Sequence, residues 1–83
     1  MTDKYNIFLI SDSTGETLDR IFMALKAQFN NFNYELNQFS FTRTESQIST
    51  ILKNAKRQDS PIILYTVVNS KLAKFLAEEA NKI

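Results

Sequence analysis

Residues 5–17 read YNIFLISDSTGET. The first six of these form a nearly continuous apolar run rich in β-formers, the pattern of a buried strand. The run gives way to hydroxyls, two carboxylates and Gly15, the only glycine in the chain. Beyond it, Leu18, Ile21, Phe22, Leu25 and Phe29 recur at i, i+3, i+4, i+7 and i+11. That stripe predicts an amphipathic helix over about 14–29, broken by Asn30 and Asn31. A strand feeding a helix through a short polar loop opens a parallel α/β unit.

The remainder repeats the alternation. Residues 34–41, YELNQFSF, predict a strand with polar exposure. Ile48, Ile51, Leu52 and Ala55 mark a second helix over about 45–57. Gln58 to Pro61 form a loop, and residues 62–68, IILYTVV, predict a third buried strand. Asn69 suits a helix N-cap, and Leu72, Phe75, Leu76 and Ala80 mark a third helix running to Ile83. The phenylalanines read as core and Lys71, Lys74 and Lys82 as solvated positions. The order β-α-β-α-β-α implies a three-layer α/β unit whose parallel sheet has right-handed crossovers. Strand order 3-2-1 would bury the second strand at the centre, whereas 2-1-3 would bury the first. The second strand is the polar one, so 2-1-3 is expected, with 3-2-1 as the alternative.

Eighty-three residues make one small domain or a piece of a larger protein. Without cysteine or histidine, the chain has no thiolate chemistry and no His-based triad, and most zinc sites are excluded. No metal site is expected. The net charge is +1 with both signs interspersed, which argues against nucleic acid as the main partner. Apolar runs fall short of a membrane span, and the N-terminus lacks a secretory pattern. A cytoplasmic protein that engages no membrane is expected.

Residues 11–17, SDSTGET, admit two readings. Ser13-Thr14-Gly15-Glu16 fits a capping box, in which the Ser13 hydroxyl accepts from the Glu16 amide. Thr44-Glu45-Ser46-Gln47 fits the same pattern. The same geometry suits an anion. A loop after the first strand lies at the carboxyl edge of the sheet, where ligands of open α/β folds bind. Gly15 permits close backbone approach, and Ser13, Thr14 and Thr17 supply hydroxyl donors beside a helix N-terminus. Asp12 and Glu16 would repel phosphate unless a cation intervenes. Arg43 follows the second strand on the same edge, and its planar fork suits phosphate or carboxylate. The alternative for Arg43 is a solvated arginine paired with Asp12 or Glu16. Thr66 and Asn69 are possible supporting residues. No catalytic residue is assigned.

Several linked motifs carry a family resemblance. Residues 7–29, IFLISDSTGETLDRIFMALKAQF, resemble the amino-terminal signature of the pyruvate, phosphate dikinase regulatory proteins, a family that includes the phosphoenolpyruvate synthase regulators. Ser11 to Thr17 match its S-D-S-T-G-E-T, while Ala24 or Ala27, Gln28 and Phe29 match its helix close. Phe41-Thr42-Arg43-Thr44 is similar to its apolar-x-Arg-Ser/Thr step, and Leu64 to Asn69 to its L-Y-T-hydrophobic-V-N strand end. The resemblance implies a bifunctional regulator of pyruvate, phosphate dikinase or phosphoenolpyruvate synthase. Such a protein phosphorylates a threonine of its target with ADP as donor. It removes that phosphate with inorganic phosphate as acceptor, releasing pyrophosphate. Family members are much longer, and their P-loop-like nucleotide site has no counterpart here, since G-x-x-x-x-G-K-[ST] needs two glycines. Residues 1–83 are therefore expected to be a single amino-terminal domain of a longer protein, inactive alone and without a cofactor of its own.

Two rival readings remain. Residues 12–17 match the T-x-T-G-x-T phosphate loop of flavodoxins except at Asp12, which suggests a flavodoxin-like nucleotide- or anion-binding module. The other is a non-catalytic interaction domain. In a 2-1-3 sheet the apolar third strand would be an edge, with the first helix alone on its face, so self-association of this piece is expected.

Overall fold

The computed structural model describes residues 4–28 and 33–82. β1 (Lys4–Ser11) leads to α1 (Glu16–Gln28), β2 (Asn33–Phe39), α2 (Glu45–Arg57), β3 (Pro61–Thr66) and α3 (Ser70–Ala80). The three strands are parallel in the order β2-β1-β3, as the polarity argument requires. β1 pairs with Asn33 to Phe39 on one edge and with Pro61 to Thr66 on the other. Its residues from Asn6 to Ser11 are all buried.

The alternation of β1 side chains divides the core in two. Ile7 and Leu9 meet Leu18 and Phe22 of α1, with Tyr34 and Leu64 at the margin. Phe8 and Ile10 meet Ile48, Ile51, Leu52 and Ala55 of α2 and Leu76 of α3. One helix therefore covers one face and two cover the other, the layering that right-handed crossovers impose on this strand order. Phe8 stacks parallel to Phe39, their ring centroids 6.2 Å apart, and Phe22 meets Tyr34 edge-on at 5.2 Å.

The helix starts follow local chemistry. Thr44 and Gln47 form the expected capping box at α2: Thr44 Oγ1 accepts from the Gln47 amide, and Gln47 Oε1 accepts from the Thr44 amide. Asn69 caps α3, its side chain accepting from the Leu72 amide at 3.0 Å.

Four expectations are corrected. β2 ends at Phe39, so Phe41 lies in a loop; its φ is 54° and its ring is exposed rather than core. β3 ends at Thr66, leaving Val68 exposed after it. Although β3 is the most apolar run, it is only half-buried because it is an edge. Ile21 and Leu25 of the α1 stripe are also exposed, because among the described residues no second helix packs beside α1 on that face. Phe29, Asn30, Asn31 and Ile83 lie outside the described residues.

Ile10 is fully buried in the two-helix half of the core, whereas Ile62 on β3 is partly exposed. Ile10→Ala is expected to cost about 2–5 kcal/mol in urea unfolding, and Ile62→Thr under about 1 kcal/mol. Equal losses would contradict the central position of β1.

Candidate functional site

Residues 12–15 leave β1 at its carboxyl end, and the neighbouring strands hold them from both sides. Toward β3, the Asp12 amide donates to the Thr66 carbonyl at 3.3 Å. Toward β2, the Thr42 amide donates to the Ser11 carbonyl at 2.8 Å and the Phe41 amide to the Ser13 carbonyl at 2.9 Å. These bonds continue the sheet pairing past the formal strand ends. The loop is a fixed connection.

Hydroxyls line its inner side. Ser11 Oγ, buried, accepts from the Ser13 amide at 3.1 Å and lies 3.5 Å from Thr66 Oγ1. Ser40 Oγ donates to the Thr14 carbonyl at 3.0 Å. The capping box expected at Ser13 does not form, because α1 begins two residues later, at Glu16. Gly15 carries the first helical carbonyl, accepting from the Asp19 amide at 2.9 Å, and the Glu16 amide points to Thr14 Oγ1 at 3.5 Å. Gly15 has φ = 86°, a conformation that only glycine adopts without strain. Thr17 is exposed on the first turn of α1.

Arg43 reaches the loop as expected, but not as an ion pair. Its Nε donates to the main-chain carbonyl of Asp12 at 2.9 Å, and its guanidinium lies 5.2 Å from the centroid of the Phe41 ring. Among the described residues this is the only hydrogen bond of the guanidinium, so both terminal nitrogens remain available. The Asp12 carboxylate is engaged elsewhere, with Oδ2 accepting from the Val68 amide at 2.8 Å. That bond spans the gap between β1 and β3, where the crossovers change face and ligands of such sheets commonly sit. It also turns the carboxylate toward the β3–α3 link.

An open cavity of about 200 Å³ lies on the other side, between β1 and β2 under the start of α1. Ser11, Thr14, Gly15, Asp19, Gln38 and Ser40 supply its polar lining. Asp19 accepts a hydrogen bond from Gln38 there. Sequence reasoning missed Ser11, Gln38, Ser40 and the buried Thr42. The signal was present in the strand order: with Ile10 opposite Phe39, residues 40–42 must pass beside residues 11–13. Thus Asp12, Ser13, Thr14, Gly15, Arg43 and Thr66 form one cluster. Asn69 serves as a cap, and Thr17 is exposed on α1 outside this cluster.

At Gly15 an added Cβ would sit 3.5 Å from Ser40 Oγ, an ordinary contact, so the barrier to substitution is the backbone angle. Gly15→Ala is expected to lower stability by about 1–2 kcal/mol, and Gly15→Asn by less, because asparagine tolerates positive φ. Urea midpoints check this ranking; an unchanged midpoint for the alanine variant would contradict it.

Comparison with known proteins identifies the family to which the chain is similar. The kinase/pyrophosphorylase family model matches residues 7–83. A protein of Pelagibacter ubique named "Putative pyruvate, phosphate dikinase regulatory protein" is 56% identical over 82 residues, covering 99% of this chain and 30% of the relative. Proteins with the same name from Geotalea uraniireducens and Alkaliphilus oremlandii are 43% and 40% identical, covering 90% and 89% of this chain. Those matches take in 28% and 26% of the two relatives, so the chain spans less than a third of the length of each. No solved structure matches it. With nearly its whole length matched by the family model, the chain belongs to the kinase/pyrophosphorylase family.

Proposed function

We propose that this chain is part of a regulator that controls pyruvate, phosphate dikinase, or the related phosphoenolpyruvate synthase, by reversible phosphorylation. In one direction a threonine hydroxyl of the target takes a phosphoryl group from ADP, leaving AMP. In the other, inorganic phosphate takes that group from the phosphothreonine, releasing pyrophosphate and restoring the hydroxyl. The observation that carries this reading is the family match over residues 7–83, including the SDSTGET loop. The names of the relatives support dikinase as the target.

Within that reaction, the strand-end cluster suits a phosphate group. Gly15 exposes backbone at the start of α1, whose dipole favours negative charge. Ser13 and Thr14 offer hydroxyls, and Arg43 offers two terminal nitrogens in a fork. Engagement of the Asp12 carboxylate by the Val68 amide reduces the repulsion that Asp12 would otherwise impose. Phosphoryl transfer also needs a cradle for the donor phosphates, which one glycine in 83 residues does not supply. The donor cradle is therefore assigned to family sequence beyond these residues, and residues 1–83 alone are inactive on this reading.

The test uses the natural full-length protein with radiolabelled ADP and purified dikinase. Label is expected on a dikinase threonine, Arg43→Ala should lower the rate about 10- to 100-fold, and residues 1–83 alone should transfer none. Absence of transfer by the full-length protein would overturn the reading. Turnover by residues 1–83 would overturn the assignment of the donor cradle.

We also infer that residues 1–83 self-associate. The β3 edge carries no charged residue, and Ile21, Leu25, Leu36 and Ile62 are exposed on the face that α1 covers alone. Sedimentation velocity across a concentration series should show the species growing with concentration. A strictly monomeric species, with Ile62→Lys leaving it unchanged, would contradict this.

A further inference from the structure

Phe41 and Val68 are the two exposed apolar residues on the carboxyl-edge loops, Phe41 after β2 and Val68 after β3. Val68 is 89% exposed and Phe41 53%. Neither position results from a loose loop. Phe41 has φ = 54°, an unusual conformation for a bulky residue, and its own amide is bonded to the Ser13 carbonyl. The next residue, Thr42, is buried, with its amide on the Ser11 carbonyl. The loop therefore takes a threonine inward and holds a phenylalanine outward. Val68 is fixed in the same way, its amide bonded to the Asp12 carboxylate.

A chain of contacts joins the two into one strip. The Phe41 ring lies under the Arg43 guanidinium, Arg43 Nε reaches the Asp12 carbonyl, and Asp12 Oδ2 reaches the Val68 amide. Phe41 after β2 and Val68 after β3 thus lie on either side of the β1 loop that Arg43 reaches, and the arginine's terminal nitrogens are available. We propose that Phe41 and Val68 form a docking surface for an extended segment of the protein substrate. Apolar side chains of that segment cover the two residues, while its anionic group meets Arg43. The inference rests on the phosphate role of Arg43 proposed above and extends it from the anion to the polypeptide that carries it.

Three observations favour a polypeptide over a free nucleotide. The strip is open, whereas small-molecule sites are concave and enclose most of the ligand. One face of the Phe41 ring already holds the guanidinium, and Val68 offers no ring for a base to stack on. Aromatic and arginine anchors of this kind are the usual centres of protein–protein contacts. Charge complementarity supplies the remaining selection: Arg43 keeps both terminal nitrogens to offer an anionic group, while one oxygen of the neighbouring Asp12 carboxylate is engaged by the Val68 amide.

The test compares natural full-length protein with its Phe41→Asn, Val68→Ser and Val68→Asp variants. Asparagine accepts the left-handed backbone at position 41, and Val68 is too exposed for its loss to unfold the chain. Each is titrated with purified dikinase by interferometry, and steady-state transfer is followed with ADP and dikinase varied separately. Each variant is expected to weaken dikinase binding about tenfold, with Val68→Asp the weakest. The KM for dikinase should rise by a similar factor, with kcat and the KM for ADP unchanged. Variants that bind and turn over dikinase like wild type would overturn the docking surface alone. A rise confined to the KM for ADP would also overturn it, assigning the strip to the nucleotide. A wild-type protein that transfers nothing to dikinase would overturn the functional reading and, with it, this inference.

Discussion

Hydrogen bonding along both edges of β1 is the constraint on which the structure depends. A strand paired on both sides is also covered on both faces in a parallel sheet, so its side chains must be apolar in succession. Residues 7–10 meet that demand, and each neighbouring layer takes its position from them. Ile7 and Leu9 orient α1, while Phe8 and Ile10 orient α2 and α3. The polar β2 is then an edge by necessity, with Lys4 and Glu35 paired at 3.4 Å along it.

The same double pairing continues beyond the strand and shapes the site. The bonds of Ser11 to residue 42, of Ser13 to residue 41 and of Asp12 to Thr66 clamp a polar loop, and the buried Ser11 hydroxyl finds its partner in the Ser13 amide. On the proposed phosphate role, preorganisation of this kind would lower the cost of gathering groups around an anion, because the donors are ordered in advance. Arg43 contributes through the same arrangement: its bond to the Asp12 carbonyl fixes the guanidinium beside the loop while leaving charge to offer.

The fold was legible in the sequence because its signals are local or depend on simple burial. Apolar periodicity placed all three helices, the Thr44 box and the Asn69 cap gave two of their starts, and the polarity of β2 decided the strand order. Strand ends were less legible. Phe41 and Val68 have β-forming side chains, yet both lie in loops, because tertiary hydrogen bonds to Ser13 and Asp12 override propensity there. The Ser13–Glu16 pattern looked like a cap, but the positive φ of Gly15 shifts the helix start past Ser13. Arg43 was placed correctly on the carboxyl edge. That its partner is a carbonyl rather than a carboxylate depends on loop geometry that no spacing rule encodes. Ser11, Ser40 and Thr42 entered the site only through strand register, a relation between distant segments.

The central claim is that residues 11–15 form a rigid loop held by both neighbouring strands. Native-state hydrogen exchange at single-residue resolution tests it most directly. The Asp12, Phe41 and Thr42 amides should exchange as slowly as those within β1, opening only with the sheet, because each is bonded across strands. Exchange of these three amides at the rate of exposed loops, while β1 stays protected, would contradict the account.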